Sequence, residues 1–188
     1  MNFLLASGNN HKAEEFNTLF SKEIINIETA PLKIDVAETG SSYFENAALK
    51  AKSYFERFGK QVMADDSGLN VESLPDELGI RSARFGGEDL TQEQRNQLLL
   101  SKLEGVSDRR ASFHCVLCFY VSSEEIYFFE GVLKGSISHS PLGQKGFGYD
   151  PLFIPEGLES TLAENNVWKD KHSHRAKACQ KAMEFFKH

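Results

Sequence analysis

Apolar residues recur along this chain with two different spacings, one typical of helices and one of strands. Between residues 42 and 58 they return every three or four positions, at Phe44, Ala47, Ala48, Ala51 and Phe55. This spacing predicts a helix with one buried face. Ser42 before it and Gly59 after it are residues that commonly begin and end helices, and Glu45 completes a possible capping box with Ser42.

The remaining pattern predicts three more helices and a set of short strands. The helices run from a polar turn at Ser7–Asn10 to about Phe20, from Thr91 to about Leu103, and over Ser173–Lys187. The strands are Asn2–Ala6, Ile24–Glu28, Gln61–Ala64, a short one at Leu69–Leu74, and a hairpin of Ala111–Val121 with Glu125–Leu133. Helices alternate with strands early and a hairpin follows, so we expect one α/β domain over residues 1–188 with a mixed sheet.

Composition and charge narrow the function. The 188 residues include 21 Lys+Arg and 27 Asp+Glu, a net charge of -6, which argues against a general nucleic-acid-binding surface. The longest apolar run, Cys115–Val121, is far shorter than the roughly 20 residues that cross a bilayer. No basic leader precedes the first strand, so no membrane association and a cytoplasmic location are expected.

The sequence Cys115-x-x-Cys118 raises the question of a redox or zinc site. Both residues lie in a predicted strand, where positions three apart point to opposite faces. No second Cys or His pair completes a zinc site. We therefore expect buried, chemically inert thiols.

A first polar cluster lies between the first strand and the first helix. It reads Ser7-Gly8-Asn9-Asn10-His11-Lys12, where small residues expose backbone N–H groups at a helix start and Lys12 adds a cation. Both features suit phosphate, although the pattern is not that of a Walker loop. An ordinary strand-to-helix turn is the alternative.

Two further clusters are rich in carboxylates. Glu38 lies in a loop, free to reach a metal, while Glu45 either caps its helix or joins the site, and Lys50 is either a solvated charge or a phosphate contact. Asp65-Asp66-Ser67-Gly68 is predicted at a strand end. Adjacent carboxylates suit a hard cation such as Mg²⁺, and one of them can act as a general base. The alternative is an Asp-rich turn.

The last cluster is divided in sequence. Gly146-Phe147-Gly148-Tyr149-Asp150-Pro151 places two aromatic residues between glycines, which suits stacking on a base. Lys169 and Ser173-His174-Arg175 place cations near a helix start, where the helix dipole opposes them. An anion or a base carbonyl would explain these cations, and a basic surface patch is the alternative.

Together these clusters resemble the inosine triphosphate pyrophosphatase family, the nonstandard purine nucleoside triphosphate pyrophosphatases. The resemblance runs from Leu5 to Arg175. Within this range the clusters occur in the family's order, together with three further matching segments: Glu38-Thr39-Gly40, Glu45-Asn46-Ala47 and Ser82-Ala83-Arg84. The chain departs from the usual pattern at several positions, without losing a charged or catalytic group: Ser7, Leu78, Phe85, Asn165, Asp170 and Ala176. Ala176 stands in place of a usual Gly near the expected base pocket.

The resemblance implies a fold and residue roles. The fold would be an elongated, strongly twisted mixed sheet with flanking helices around a central groove between two lobes, usually in a homodimer. Residues 7–12 and Lys50 would bind the triphosphate, Glu38 and Asp66 would hold Mg²⁺, and Asp66 would be the general base. Ser67 would contact substrate, and the base and sugar would meet Phe147, Gly148, Tyr149, Asp150, Lys169, His174 and Arg175.

The implied reaction converts ITP, dITP or XTP to the monophosphate and pyrophosphate. Water activated by Asp66 would attack the α-phosphorus, with Lys12 and Lys50 stabilising the phosphate charge and Asp65 as the second candidate for the base. Donors facing the 6-oxo group would reject ATP, whereas the exclusion of GTP is unexplained by the sequence. Two alternatives are a pyrophosphatase for other modified or pyrimidine nucleotides and a nucleotide sensor without turnover.

Overall fold

The computed structural model describes Met1–Ser7 and Asn10–Lys187, and the side chains of Asn10 and His11 are outside that description. Its strands are β1 (Asn2–Leu5), β2 (Asn26–Thr29), β3 (Val62–Val71), β4 (Arg110–Tyr120), β5 (Ile126–Ile137) and β6 (Phe153–Pro155). Its α-helices are α1 (Asn10–Leu19), α2 (Tyr43–Phe58), α3 (Gln92–Lys102), α4 (Asn166–His172) and α5 (His174–Phe186), with a 3₁₀ helix at Gly79–Arg84.

The strands form a six-stranded sheet in the order β2-β1-β3-β4-β5-β6. Strand β1 runs parallel to both β2 and β3, whereas β5 and β6 are antiparallel. The predicted α/β class with a mixed sheet is therefore confirmed. The elongated shape and central groove stay predictions, as does the single domain over residues 1–188.

The structure of β3 differs from the sequence prediction at Asp65 and Asp66, the two adjacent carboxylates singled out above. The apolar pattern predicted a strand ending at Ala64, a turn at residues 65–68 and a second short strand. The structure instead has one ten-residue strand, Val62–Val71, with Asp65 and Asp66 in its middle. Burying carboxylates inside a strand is costly unless they are paired, and here Lys12 and Lys50 neutralise the two carboxylates, as described below.

The short elements were missed by the sequence pattern. Strand β6 has three residues and helix α4 seven, both too short for a periodic signal. The 3₁₀ helix begins at Gly79, whose φ of 66° is in the left-handed region that favours glycine. The predicted helix at the C-terminus is confirmed and begins at His174.

The chain forms two compact units. Unit 1 comprises Met1–Ser67, Cys115–Gly131 and His174–His188, and unit 2 comprises Gly68–His114 and Val132–Ser173. In unit 1 the sheet has two buried faces. Phe3, Leu5 and Met63 pack with residues of α1 and α5, and Leu4, Val62 and Ala64 pack with residues of α2.

Strand β4 follows the same alternation within unit 1. Cys115, Leu117 and Phe119 belong to the core on the α1 and α5 side of the sheet, which we call the first core. Val116, Cys118 and Tyr120 belong to the core on the α2 side, the second core. The two cysteines of the C-x-x-C sequence therefore lie on opposite faces, as predicted. All three cysteines of the chain are buried and free. Burial raises the pKa of Cys115 and Cys118 to about 12, so both remain protonated.

Unit 2 has its own core, which includes Leu69, Leu99, Phe113, Leu152 and Phe153. Helix α3 lies over this core and begins with a complete capping box, in which Thr91 and Gln94 bond each other's backbone. No helix within the described part of the chain is long and apolar enough to cross a membrane.

We expect Phe119→Ala to destabilise the protein by about 3–5 kcal/mol, because it removes a ring that lies fully inside the first core of unit 1. That ring makes edge contacts with Phe3, Phe20 and Phe129. Urea denaturation followed by circular dichroism measures the change. Phe44→Ala is the control, because Phe44 is 42% exposed and its loss should cost far less. Equal losses for the two variants would contradict the assignment of the core.

Candidate active site

The two adjacent carboxylates of β3 point to opposite faces of the sheet. Side chains alternate along a strand, and Met63 packs toward α1 and α5 while Ala64 packs toward α2. Asp65 therefore shares the face of Met63, and Asp66 shares the face of Ala64. The hydrogen bonds agree with this, because Asp65 meets a lysine from α1 and Asp66 meets a lysine from α2.

Asp65 is a buried carboxylate that is paired with a lysine. Its side chain is 1% exposed, and its Oδ2 accepts hydrogen bonds from Lys12 Nζ at 2.7 Å and from Ser67 Oγ at 3.2 Å. Burial alone would raise its pKa, but the charges of Lys12, Lys50 and Arg175 outweigh it and lower the pKa of Asp65 to about 2. A carboxylate held this strongly in its charged form is a weak base.

Asp66 has different surroundings. Its Oδ1 lies 3.2 Å from Lys50 Nζ, and its Oδ2 accepts a 3.2 Å hydrogen bond from the amide of Asn46. Burial raises the pKa of Asp66 above its usual value, and Glu38 and Asp65 act in the same direction against Lys50. A raised pKa makes a carboxylate a stronger proton acceptor. Of the two neighbours, Asp66 is therefore better suited to activate water.

Glu38 reaches the same lysine from the loop that precedes α2. Its Oε1 accepts a 2.7 Å hydrogen bond from Lys50 Nζ, so one ammonium group lies between the carboxylates of Glu38 and Asp66. Burial would lower the pKa of Lys50, but Asp65, Asp66 and Glu38 raise it, so the lysine stays charged. The alternative of a solvated Lys50 is wrong, because its side chain is only 13% exposed.

This pair of carboxylates suits a hard divalent cation. Among the described residues, no three Asp, Glu, His or Cys side chains converge as a metal-binding group. Mg²⁺ seldom needs such a cage, because one or two carboxylates, water and substrate phosphates usually complete its ligands. Glu38 and Asp66 offer hard oxygen donors that already share one cation, Lys50. Their chemistry fits magnesium.

Glu45 is engaged at the start of α2. Its Oε2 accepts hydrogen bonds from Ser41 N at 2.6 Å and Ser41 Oγ at 2.8 Å, while Ser42 Oγ accepts from Glu45 N at 3.2 Å. The predicted capping box is thus half formed, since the glutamate reaches Ser41 instead of Ser42. These bonds from Ser41 lower the pKa of Glu45.

Arg175 has a partner that the sequence analysis missed. It lies at the start of α5 with a side chain 6% exposed, and it donates to Glu15 Oε2 at 2.7 Å and to Ser67 Oγ at 3.0 Å. Glu15 follows Lys12 by three residues on α1, so both face the same side of that helix. This three-residue spacing from Lys12 was the sequence signal that could have identified Glu15 as a site residue. The N-terminal end of α5 is the positive end of the helix dipole and disfavours a cation. The ion pair with Glu15 compensates for placing Arg175 there.

Gly131 allows α5 to approach β5 closely. A Cβ at this position would collide with the backbone carbonyl of His174 and would lie 2.7 Å from Ala178 N. The first turn of α5 therefore rests directly on the strand. His174 is buried at this contact.

In unit 2, Asp150 and Lys169 form a buried ion pair beside the glycine-rich segment. Asp150 Oδ2 accepts from Lys169 Nζ and from Phe147 N, both at 2.8 Å. The Lys169 ammonium also lies 4.7 Å from the centre of the Phe147 ring, a cation–π contact. Gly146 is required here, because a Cβ would collide with the Asp150 carboxylate. These predicted site residues are thus brought together.

Tyr149 belongs to the core of unit 2. Its ring is buried and its hydroxyl donates to the carbonyl of Ser82 at 2.8 Å. Burial raises the pKa of Tyr149 to about 12. Asn96 of α3 supports the same segment by donating to the Gly148 carbonyl at 3.2 Å. Sequence reasoning missed Asn96, which α3 delivers from about fifty residues earlier.

The remaining predicted phosphate residues are only partly described. Ser7 follows β1 and is half-buried. Gly8 and Asn9 lie outside the described residues. Asn10 and His11 begin α1, and their side chains lie outside the description too. Their proposed contacts with phosphate stay predictions.

Known proteins resemble this chain over nearly its whole length. A sequence model of the Ham1 family matches residues 3–185. A protein of Exiguobacterium sp. named dITP/XTP pyrophosphatase is 40% identical over 185 residues, which cover 96% of this chain and 94% of that protein. One of the same name from Thermoanaerobacter pseudethanolicus is 41% identical over 191 residues, covering 98% of this chain and 96% of that protein. The solved structure of the Staphylococcus aureus Ham1 protein superposes with a TM-score of 0.89, at 37% identity, covering 100% of this chain and 98% of that one.

We expect Lys12→Met to lower the free energy of unfolding by about 3 kcal/mol, because it leaves the Asp65 carboxylate buried without its closest cation. Asp65→Asn should destabilise less, and the double variant should recover part of the loss of Lys12→Met. Chemical denaturation of the four proteins measures this coupling. Strictly additive losses would contradict a direct ion pair.

Proposed function

Because this chain belongs to the Ham1 family, we propose that it hydrolyses nonstandard purine nucleoside triphosphates, such as dITP, ITP and XTP, to the monophosphate and pyrophosphate. The observation that carries the proposal is the unequal pair of carboxylates on β3. Asp65 is held charged by Lys12, whereas Asp66 has a raised pKa beside Glu38 and Lys50. Such a site has both a water-activating base and cations for phosphate.

In this mechanism Asp66 orients a water molecule and accepts its proton as the oxygen attacks the α-phosphorus. The P–O bond to the β-phosphate breaks, and pyrophosphate leaves. Lys50 and Lys12 stabilise the negative charge on the phosphate oxygens. Lys12 is already oriented by Asp65 at 2.7 Å, so little conformational freedom is lost when it meets phosphate.

We propose Mg²⁺ as the metal, held by Glu38 and Asp66 together with the phosphates of the substrate. When bound, it would neutralise phosphate charge as a Lewis acid. The net charge of -6 supports this need, because the protein as a whole repels a polyphosphate. The family resemblance and the pair of carboxylates on Lys50 support this assignment.

Recognition of the base is proposed for Phe147, Gly148, Asp150, Lys169, His174 and Arg175. The Phe147 ring carries a cation on one side, as Lys169 is 4.7 Å from its centre, and an aromatic ring of this kind can stack on a purine. Tyr149 is proposed to act by supporting this segment, since its ring lies in the core. Donors to the 6-oxo group would distinguish hypoxanthine and xanthine from adenine.

We also propose a cytoplasmic location and a homodimer. The location suits an enzyme that acts on the free nucleotide pool. The homodimer follows from the family resemblance alone. Hydrolysis of other modified or pyrimidine nucleotides is not favoured, because the similar proteins are named dITP/XTP pyrophosphatase. A sensor without turnover is not favoured either, because the carboxylates and lysines proposed for hydrolysis are all present and in contact.

The first test is product analysis with Mg²⁺ and each of ITP, dITP, XTP, ATP, GTP and dUTP. We expect pyrophosphate from the first three, little from the others, and loss of activity on chelation.

Asp66→Asn should lower kcat by about 10²–10⁴-fold, because it removes the proposed general base. Asp76→Asn changes an exposed carboxylate and should leave kcat unchanged. Orthophosphate as the first product would move the attack to the γ-phosphorus and refute the mechanism.

A second test concerns the base. Phe147→Leu removes the aromatic face while keeping an apolar side chain, so KM for ITP should rise about 5- to 100-fold with a smaller change in kcat. Leu142→Ala is a control in the same loop, because Leu142 is 42% exposed and makes no proposed contact with substrate. An unchanged KM for Phe147→Leu would remove Phe147 from the base-binding set.

A further inference from the structure

We infer that Asn46 is a positioning residue that fixes the Glu38 loop to Asp66 and so sets the spacing of the two proposed metal ligands; this inference rests on the proposed function. Asn46 lies on α2, one turn before Lys50, and its side chain is fully buried. Its oxygen accepts from Gly40 N at 2.8 Å, and its amide nitrogen donates to Asp66 Oδ2 at 3.2 Å. One side chain thus joins the loop and the strand.

The orientation of the Asn46 amide is determined by its neighbours. A backbone N–H can only donate, so the atom that faces Gly40 must be the oxygen. The NH₂ group must then face the carboxylate of Asp66. A flipped amide would place two donors together at Gly40 and two acceptors together at Asp66. The side chain therefore has one stable orientation.

Gly40 shows how closely the loop is pressed onto α2. A Cβ at this position would lie 2.7 Å from Asn46 Oδ1 and 2.6 Å from Glu45 Cβ. Only glycine lets the backbone approach far enough to donate its N–H to the amide. Glu38 is two residues away, and a turn from Thr39 N to the Ala37 carbonyl keeps that segment compact. A shift of Gly40 would therefore move Glu38.

An uncharged amide is suited to this task. Lys50 also joins Glu38 to Asp66, but its ammonium group neutralises both carboxylates and is proposed to contact phosphate. Asn46 instead orients Asp66 through a hydrogen bond and leaves its negative charge available for a divalent cation. Groups that orient metal ligands commonly account for 10–100-fold in metal affinity. We expect the same range for Asn46.

The test measures Mn²⁺ binding to the nucleotide-free protein by electron paramagnetic resonance. Asn46→Leu keeps the branched shape of the side chain but loses both hydrogen bonds, so Mn²⁺ affinity should fall about 10–100-fold. Gly40→Ala should have the same effect without changing Asn46 itself. Since both variants break one clamp, the double variant should be little worse than either.

Tyr54→Phe is the matched control on the same helix. The Tyr54 hydroxyl accepts from Ile34 N at 2.9 Å, so this variant loosens the same loop at a point away from Asp66. Its Mn²⁺ affinity should match that of the wild type. A second readout needs no metal: the Gly40 amide should be protected from hydrogen exchange in the wild type and lose protection in Asn46→Leu.

The outcomes separate this inference from the proposed function. Wild-type Mn²⁺ affinity in folded Asn46→Leu, or the same loss in Tyr54→Phe, would overturn the positioning role. If Asn46→Leu fails to fold, Gly40→Ala decides the question by the same affinity. No Mn²⁺ binding by the nucleotide-free wild type would also overturn it, because a clamp implies preformed ligands. Weakened Mn²⁺ binding in a protein that hydrolyses no nucleotide would support the clamp and refute the proposed function.

Discussion

A strand turns successive side chains to opposite sides, and in β3 this places two neighbouring carboxylates in different electrostatic surroundings. Asp65 meets Lys12 from α1, and Asp66 meets Lys50 from α2. Each helix supplies one cation to its own face of the sheet, so neither carboxylate is buried without compensation. The strand can therefore continue through charged residues that would otherwise end it. The proposed chemistry of unit 1 depends on this arrangement.

The same arrangement gives two chemically identical carboxylates, those of Asp65 and Asp66, different acidities. Two aspartates one residue apart begin with the same intrinsic acidity, yet the pKa of Asp65 falls to about 2 while that of Asp66 rises. The difference comes from the surroundings that each face supplies, since three cations outweigh burial at Asp65 and burial prevails at Asp66. One carboxylate then serves to hold Lys12, and the other stays available to a proton and to a cation. Strand geometry thus allows one short sequence to provide both an anchor and a reactive group.

Much of this molecule could be predicted from its sequence, and the errors have a common cause. The periodicity of α2 and its boundary residues at Ser42 and Gly59 are local signals, and the structure confirms them. Glu38, Lys50 and Asp66 were named as candidates from the sequence, and the structure brings the three side chains into contact. The turn within β3 was predicted wrongly because the compensating lysines lie outside the strand, on helices α1 and α2. A local pattern cannot reveal a neutralising partner that is 53 residues away, as Lys12 is from Asp65.

Glu15, which the sequence analysis missed, and Asn46, which it named without a role, show the same limit. Each has an ordinary place on a helix, and its importance appears only when the helix packs against a strand. Arg175 contacts Glu15 across 160 residues of sequence, a separation that no short motif spans. Supporting groups of this kind are recognised by their contacts in the folded chain, whereas residues that carry the chemistry are recognised by type.

The buried cysteines have a practical consequence for experiments on this protein. All three thiols are inside the cores, and burial keeps the pKa of each well above its usual value. Alkylating reagents attack the thiolate, so the native cysteines should be nearly inert at neutral pH. A cysteine introduced at an exposed position would then be the preferred point of attachment for a fluorophore or spin label. The wild-type sequence is in effect already a background for site-specific labelling.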